Sequence, residues 1–116
     1  MALSIVQKAM KGVMLLDLRG RITLGEETGA FREEVRKLLE AGHARIILDL
    51  REVNYIDSVG LSTLVATYAS TRKQGGELKL LHLTSRVRDL LQITRLSTVF
   101  DVFDSLEQAQ RSFERP

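Results

Sequence analysis

The chain has no cysteine and no tryptophan among its 116 residues, and its one proline is the terminal Pro116. Without thiols it can hold neither a disulfide nor a thiolate zinc site, which fits a reducing compartment. No internal proline, repeat or low-complexity tract marks a linker, so residues from Ile5 to about Phe113 read as one continuous unit and residues 1–116 as a single domain. Aromatics make up only 5% of the chain. None is interleaved with Arg86, Arg88 and Arg95, the one basic cluster, which reads as a solvated helix face and not as a nucleic-acid contact. Apolar runs fall far short of the roughly 20 residues that a membrane helix needs, and no signal-peptide pattern opens the chain. A cytoplasmic protein without membrane insertion is therefore expected. The net charge is only +2, with both signs interspersed.

Catalytic equipment is equally scarce. His43 sits at an expected helix C-terminus and His82 near a strand end, with no spacing that suggests a dyad or a metal site. Asp49 falls in an apolar strand, where satisfying nearby backbone donors suits it better than proton transfer. Gly75-Gly76 lacks the glycine spacing and the Lys-Ser/Thr pair of a phosphate loop and reads as a helix stop. No enzyme activity, metal or cofactor is expected.

What is present is a core. At 44% hydrophobic and 28% charged residues, the composition is that of an ordinary globular domain. Leu3–Lys8 and Val13–Arg19 read as two extended stretches with Lys11-Gly12 as the turn between them. Thr23 and Glu26 match a capping box, so a helix is expected to begin there, with Phe31, Val35, Leu38 and Leu39 as its apolar stripe and Gly42 as its stop. Ile46-Ile47-Leu48-Asp49-Leu50 reads as a central strand covered on both faces. A helix from about Val59 to Lys73 follows, with Leu61, Leu64 and Tyr68 buried. Leu78, Leu80 and Leu81 mark the next strand. Thr84 or Ser85 can cap a helix carrying Val87, Leu90 and Leu91, a short strand is expected near Thr98–Val102, and Ser105 with Gln108 is another capping box. The order β-β-α-β-α-β-α-β-α predicts an α/β fold: four to five strands, mostly parallel, with an extra N-terminal strand and about four helices.

The segment Tyr55-Ile56-Asp57-Ser58-Val59-Gly60-Leu61 joins the central strand to a helix. Asp57 is a sound N-cap, which places Ser58 at the first helical position, where backbone donors lack intrahelical partners and the helix dipole is positive. A phosphate on Ser58 would find donors ready, with Asp57 beside it repelling. Gly60 has no side chain, so another molecule's backbone or a nucleotide could approach there. Taken alone, Asp-Ser is also among the commonest ways to start a helix.

Context changes the weight of those readings. The run Ile46 through Leu64, together with Leu18-Arg19-Gly20-Arg21-Ile22, Gly75-Gly76-Glu77-Leu78 and the tail Phe100 through Ala109, resembles the STAS domain family, whose best-known members are bacterial anti-sigma factor antagonists. The resemblance covers nearly the whole chain. It implies that Ser58 is phosphorylated by a partner that is both anti-sigma factor and serine kinase, and that a serine phosphatase restores the unmodified form. It implies a recognition surface of Gly20, Arg21, Ile22 and Thr23, then Tyr55, Ile56, Asp57 and Ser58, then Val59, Gly60 and Ser62 on the following helix. Thr23 stands where many antagonists carry an acidic residue, and Val59 where a second small hydroxyl residue is common. Ser62 is the alternative acceptor, but it lies past the free N–H groups of the first turn. Two other roles of the family remain open to sequence: the small STAS subunit of a lipid ABC transporter, bound to the transport ATPase, and a nucleotide-binding or scaffold module in a signalling assembly.

Overall fold

The computed structural model describes residues 3–114, apart from the side chains of Glu26 and Glu27. Strand β1 (Leu3–Met10) turns into β2 (Val13–Ile22) through Lys11 and Gly12. Both loop residues have positive φ, 35° and 80°, as a two-residue hairpin with right-handed twist demands. Helix α1 (Glu26–Glu40), β3 (Arg45–Ile56), α2 (Ser58–Lys73), β4 (Glu77–Leu81), α3 (Ser85–Ile93), β5 (Val102–Phe103) and α4 (Leu106–Ser112) follow. The five strands lie in sequence order, β1 antiparallel to β2 and every later pair parallel. This is the α/β architecture that the alternation of elements predicts.

Each crossover steps one strand onward in the same direction, and right-handedness then puts α1, α2 and α3 on one face of the sheet. The main core lies there, where Phe31, Val35, Leu38, Leu64, Val87 and Leu91 meet Leu16, Leu18, Ile46, Leu48, Leu50, Leu78 and Leu80. Among the described residues the other face is covered by α4 and its C-cap, with Ala109 and Phe113 packed on Val13, Leu15, Ile47 and Leu81. Val13 through Leu16 are accordingly buried on both sides of the strand. Gly42 and Gly75 take positive φ, 92° and 83°, just past α1 and α2. His43 N–H then donates to the Leu38 carbonyl, and Gly76 N–H to that of Thr71, each 2.9 Å away, closing both helices in Schellman fashion.

Three expectations change. The Thr23–Glu26 capping box does not form: α1 starts from Gly25 at φ 137° with no side-chain cap, because the chain is still leaving β2 at Thr23. The last strand is Val102–Phe103 instead of Thr98–Val102, since Val99 N–H turns back to the Leu96 carbonyl (3.0 Å) before β5 begins. The first two strands run longer than the sequence suggests, to Met10 and Ile22. Lys79 is a further departure from pattern. It is 1% exposed, with its ammonium 4.8 Å from the Phe113 ring centroid and 3.4 Å from Asp101 Oδ2, so burial is compensated by an aromatic face and a carboxylate.

Candidate functional site

Pairing of β3 with β4 ends at Asp49 and Leu81, whereas β2 and β3 stay paired as far as Ile22 and Ile56, across two register shifts. The extension carries the β2–α1 loop and the start of α2 side by side. Asp57 joins them. Its carboxylate accepts the Gly60 N–H at 2.7 Å with one oxygen and the Leu24 N–H at 2.9 Å with the other. Its own N–H donates to the Ile22 carbonyl at 3.3 Å. These N–H donors, Leu24 first and Gly60 next, hold the Asp57 carboxyl below its usual range, because they stabilise the charged form. Asp57 is thus the expected N-cap of α2, and it also anchors a loop from the neighbouring crossover.

At Gly60 the start of α2 packs tightly against the end of β2. A Cβ there would lie 1.9 Å from the Ile22 carbonyl oxygen and 2.7 Å from its carbon. The backbone that requires the missing side chain belongs to Ile22 of the same chain, and this corrects the expectation of an approaching partner or nucleotide. Ile22, Ile56 and Gly60 are buried and support the turn from beneath. Gly20, Thr23 and Asp57 are half-buried, and Arg21, Tyr55, Ser58, Val59 and Ser62 are exposed. The Ser58 hydroxyl makes no hydrogen bond to the described residues.

Two residues escaped the sequence reading. Leu24 is 71% exposed although its backbone is tied to Asp57. A leucine in an otherwise polar turn was the available signal. Arg32, on α1, lines a shallow groove with Ser58, Val59, Ser62, Thr63 and Ala66, and nothing local in the sequence links it to that turn. Val59 beside the serine, Tyr55 at the end of β3 and Leu24, tied to the turn through Asp57, are exposed apolar side chains.

His82 and Asp49 are engaged structurally. His82 sits with Nδ1 3.2 Å from Asp49 Oδ1 and Nε2 3.0 Å from Arg51 Nη2. A guanidinium only donates, so Nε2 accepts and the Nδ1–H donates to Asp49. Asp49 also accepts the Arg51 N–H at 3.1 Å, the backbone role expected of it. His43 is exposed beyond α1. Among the described residues no group of three or more His, Asp or Glu is placed to hold a metal ion, and no helix is long and apolar enough to cross a membrane.

A family model described as the STAS domain matches residues 4–109. The chain belongs to the STAS domain family. An anti-sigma-B factor antagonist from Bacillus subtilis (strain 168) is 41% identical to this STAS domain over 71 residues, 61% of this chain and 64% of that protein. The matched stretch is thus a little under two thirds of that relative's length. A Thermotoga maritima protein, crystallised as a candidate anti-sigma factor antagonist, superimposes with a TM-score of 0.85 at 24% identity, covering 96% of this chain and 95% of that one. The anti-sigma factor antagonist SpoIIAA from Bacillus shares the fold at 15% identity and a TM-score of 0.72 in both its unphosphorylated and its phosphorylated forms. The unphosphorylated match covers 97% of this chain and 98% of that one, and the phosphorylated match 94% and 99%.

Proposed function

We propose that this STAS domain is a non-enzymatic anti-sigma factor antagonist, which sequesters an anti-sigma factor with serine kinase activity until that partner phosphorylates Ser58. A serine phosphatase returns the chain to its active form. The relatives' names support the antagonist role. The observation that carries the position of the switch is Ser58 itself: exposed, without a hydrogen bond to the described residues, on a turn that Asp57 holds from both sides. Arg21, Tyr55, Val59 and Ser62 form the contact surface around it, with Leu24 added, and Gly20, Ile22, Thr23, Ile56, Asp57 and Gly60 shape that surface from below.

Phosphorylation adds about −1.5 to −2 charges to Ser58. In a surface that buries Leu24, Tyr55 and Val59 against a partner, stripping water from that charge costs several kcal/mol. Each ~1.4 kcal/mol is tenfold in affinity, so one phosphate suffices as an off switch.

Mass spectrometry on tagged protein from its native host tests this reading. It is expected to show phosphate on Ser58, with a kinase-type anti-sigma factor bound to the unmodified fraction. An unmodified chain bound to a transport ATPase would overturn it in favour of a transporter subunit. Ser58→Glu should also weaken binding to the purified partner, and unchanged affinity would sink the desolvation argument.

A further inference from the structure

The groove beside Ser58 is formed by two helices. Ser58, Val59, Ser62, Thr63 and Ala66 come from the first turns of α2, and Arg32 comes from α1. Small side chains at Ser62 and Ala66 leave the floor open. Thr63 is committed to its own helix, its hydroxyl donating to the Val59 carbonyl at 2.9 Å. Among the described residues Arg32 is the one charged side chain on the groove walls. Its neighbour Arg36 is held by Glu33 and Glu40, and Glu33 is thereby occupied. Arg32 has no ion pair with the described residues, and the other described arginines without a carboxylate, Arg21, Arg45, Arg51, Arg72, Arg86 and Arg95, do not line this groove. The nearest carboxylate along the chain from Ser58, that of Asp57, has both oxygens engaged by the N–H groups of Leu24 and Gly60.

We infer that Arg32 is the receptor in cis for a phosphate on Ser58, turning the modified side chain into the α1–α2 groove. The inference rests on the reading of Ser58 as phosphoacceptor and deepens it. A guanidinium presents a planar fork of donors that matches two phosphate oxygens at once, which a lysine cannot do. The Ser62 hydroxyl, on the same wall, offers a further donor. The modification then changes the surface twice: it adds the phosphate charge beside Val59, and it withdraws the guanidinium of Arg32 from any partner that used it.

The test places phosphoserine at position 58 by codon suppression and follows its second ionisation by phosphorus NMR, in the natural sequence and with Arg32→Ala or Arg32→Lys. A cation in contact favours the dianion. The natural sequence is therefore expected to titrate about half a unit below the Arg32→Ala variant, with Arg32→Lys between them. Phosphoserine at exposed Ser97 serves as reference and should be indifferent to Arg32. Coincident titrations of the natural sequence and Arg32→Ala would overturn the inference, including the case in which both are depressed alike by backbone donors. Arg32 is exposed, so its replacement leaves the fold intact. Because no kinase installs the phosphate, the titration reads Arg32 whether or not the cell modifies Ser58. Mass spectrometry of the native protein decides that separate question.

Discussion

Asp57-Ser58 and Thr84-Ser85 stand at the ends of β3 and β4, each a capping residue followed by an exposed serine that opens a helix. Both caps work alike within their own helix. Asp57 accepts the Gly60 N–H and its carbonyl takes the Leu61 N–H; Thr84 accepts the Val87 N–H and its carbonyl takes the Arg88 N–H. The difference lies in what is left over. Threonine spends its one side-chain oxygen on the cap, whereas aspartate has a second oxygen and a full charge, and both reach Leu24 on another crossover. Three residues on, α3 has Val87 packed in the core while α2 has a glycine against the Ile22 carbonyl. One turn is a cap. The other is a cap and a clamp, and its serine lines a groove with Val59 and Arg32.

The contrast can be broken most severely at Gly60. Gly60→Ala should cost on the order of 3 kcal/mol or more in a urea melt, because its Cβ would meet backbone that cannot swing aside. A near-neutral melt would mean that β2 and α2 can separate without loss. Next comes Asp57→Ala, expected to lower the melting midpoint more than Thr84→Ala and to speed hydrogen exchange at the Leu24 amide. Equal midpoints for the two variants would reduce Asp57 to an ordinary cap. Thr84→Ala itself should cost about 1 kcal/mol, the usual value of a lost N-cap.

Acid sharpens the same comparison. The folded Asp57 carboxyl is held below its usual range by the N–H groups it accepts, so its contribution to stability is complete above the unfolded value of about 3.9 and disappears as pH falls through the folded value. The stability gap between the natural sequence and Asp57→Asn should therefore narrow below about pH 4. Thr84→Ala should show no such narrowing, and a constant Asp57→Asn gap from pH 7 to 2.5 would count against the clamp's charge. The smallest stability effects belong to the serines. Ser58→Ala and Ser85→Ala should each stay within about 0.5 kcal/mol of the natural sequence. Only Ser58→Ala should abolish phosphorylation while leaving partner binding intact, and a phosphoprotein assay of both variants checks the assignment.

Much of this was legible from local pattern. The stripe Phe31, Val35, Leu38, the stops at Gly42 and Gly75, the caps at Asp57, Thr84 and Ser105, and the alternation of strands with helices all depend on neighbours within a turn or two, and each appears where expected. The Thr23–Glu26 box obeys the same local rule and fails, because the strand ending at Ile22 and the Leu24 N–H bond to Asp57 outbid a side-chain cap for that segment. Lys79 breaks the hydrophobic pattern for a similar reason: Phe103, Phe113 and Asp101, all distant in sequence, make its burial tolerable.

The sequence by itself determined the elements and their order and the placing of Ser58 at the head of α2, since periodicity and caps are short-range properties of the chain, whereas the strand order that stacks three helices on one face belongs to the sheet. Only the tertiary structure decided that Asp57 holds two crossovers together, that Gly60 makes room for Ile22, and that Leu24 and Arg32 flank the serine. Those contacts form between segments that no local rule relates, and they exist only once β2 and β3 have paired to their ends and brought α1 against α2.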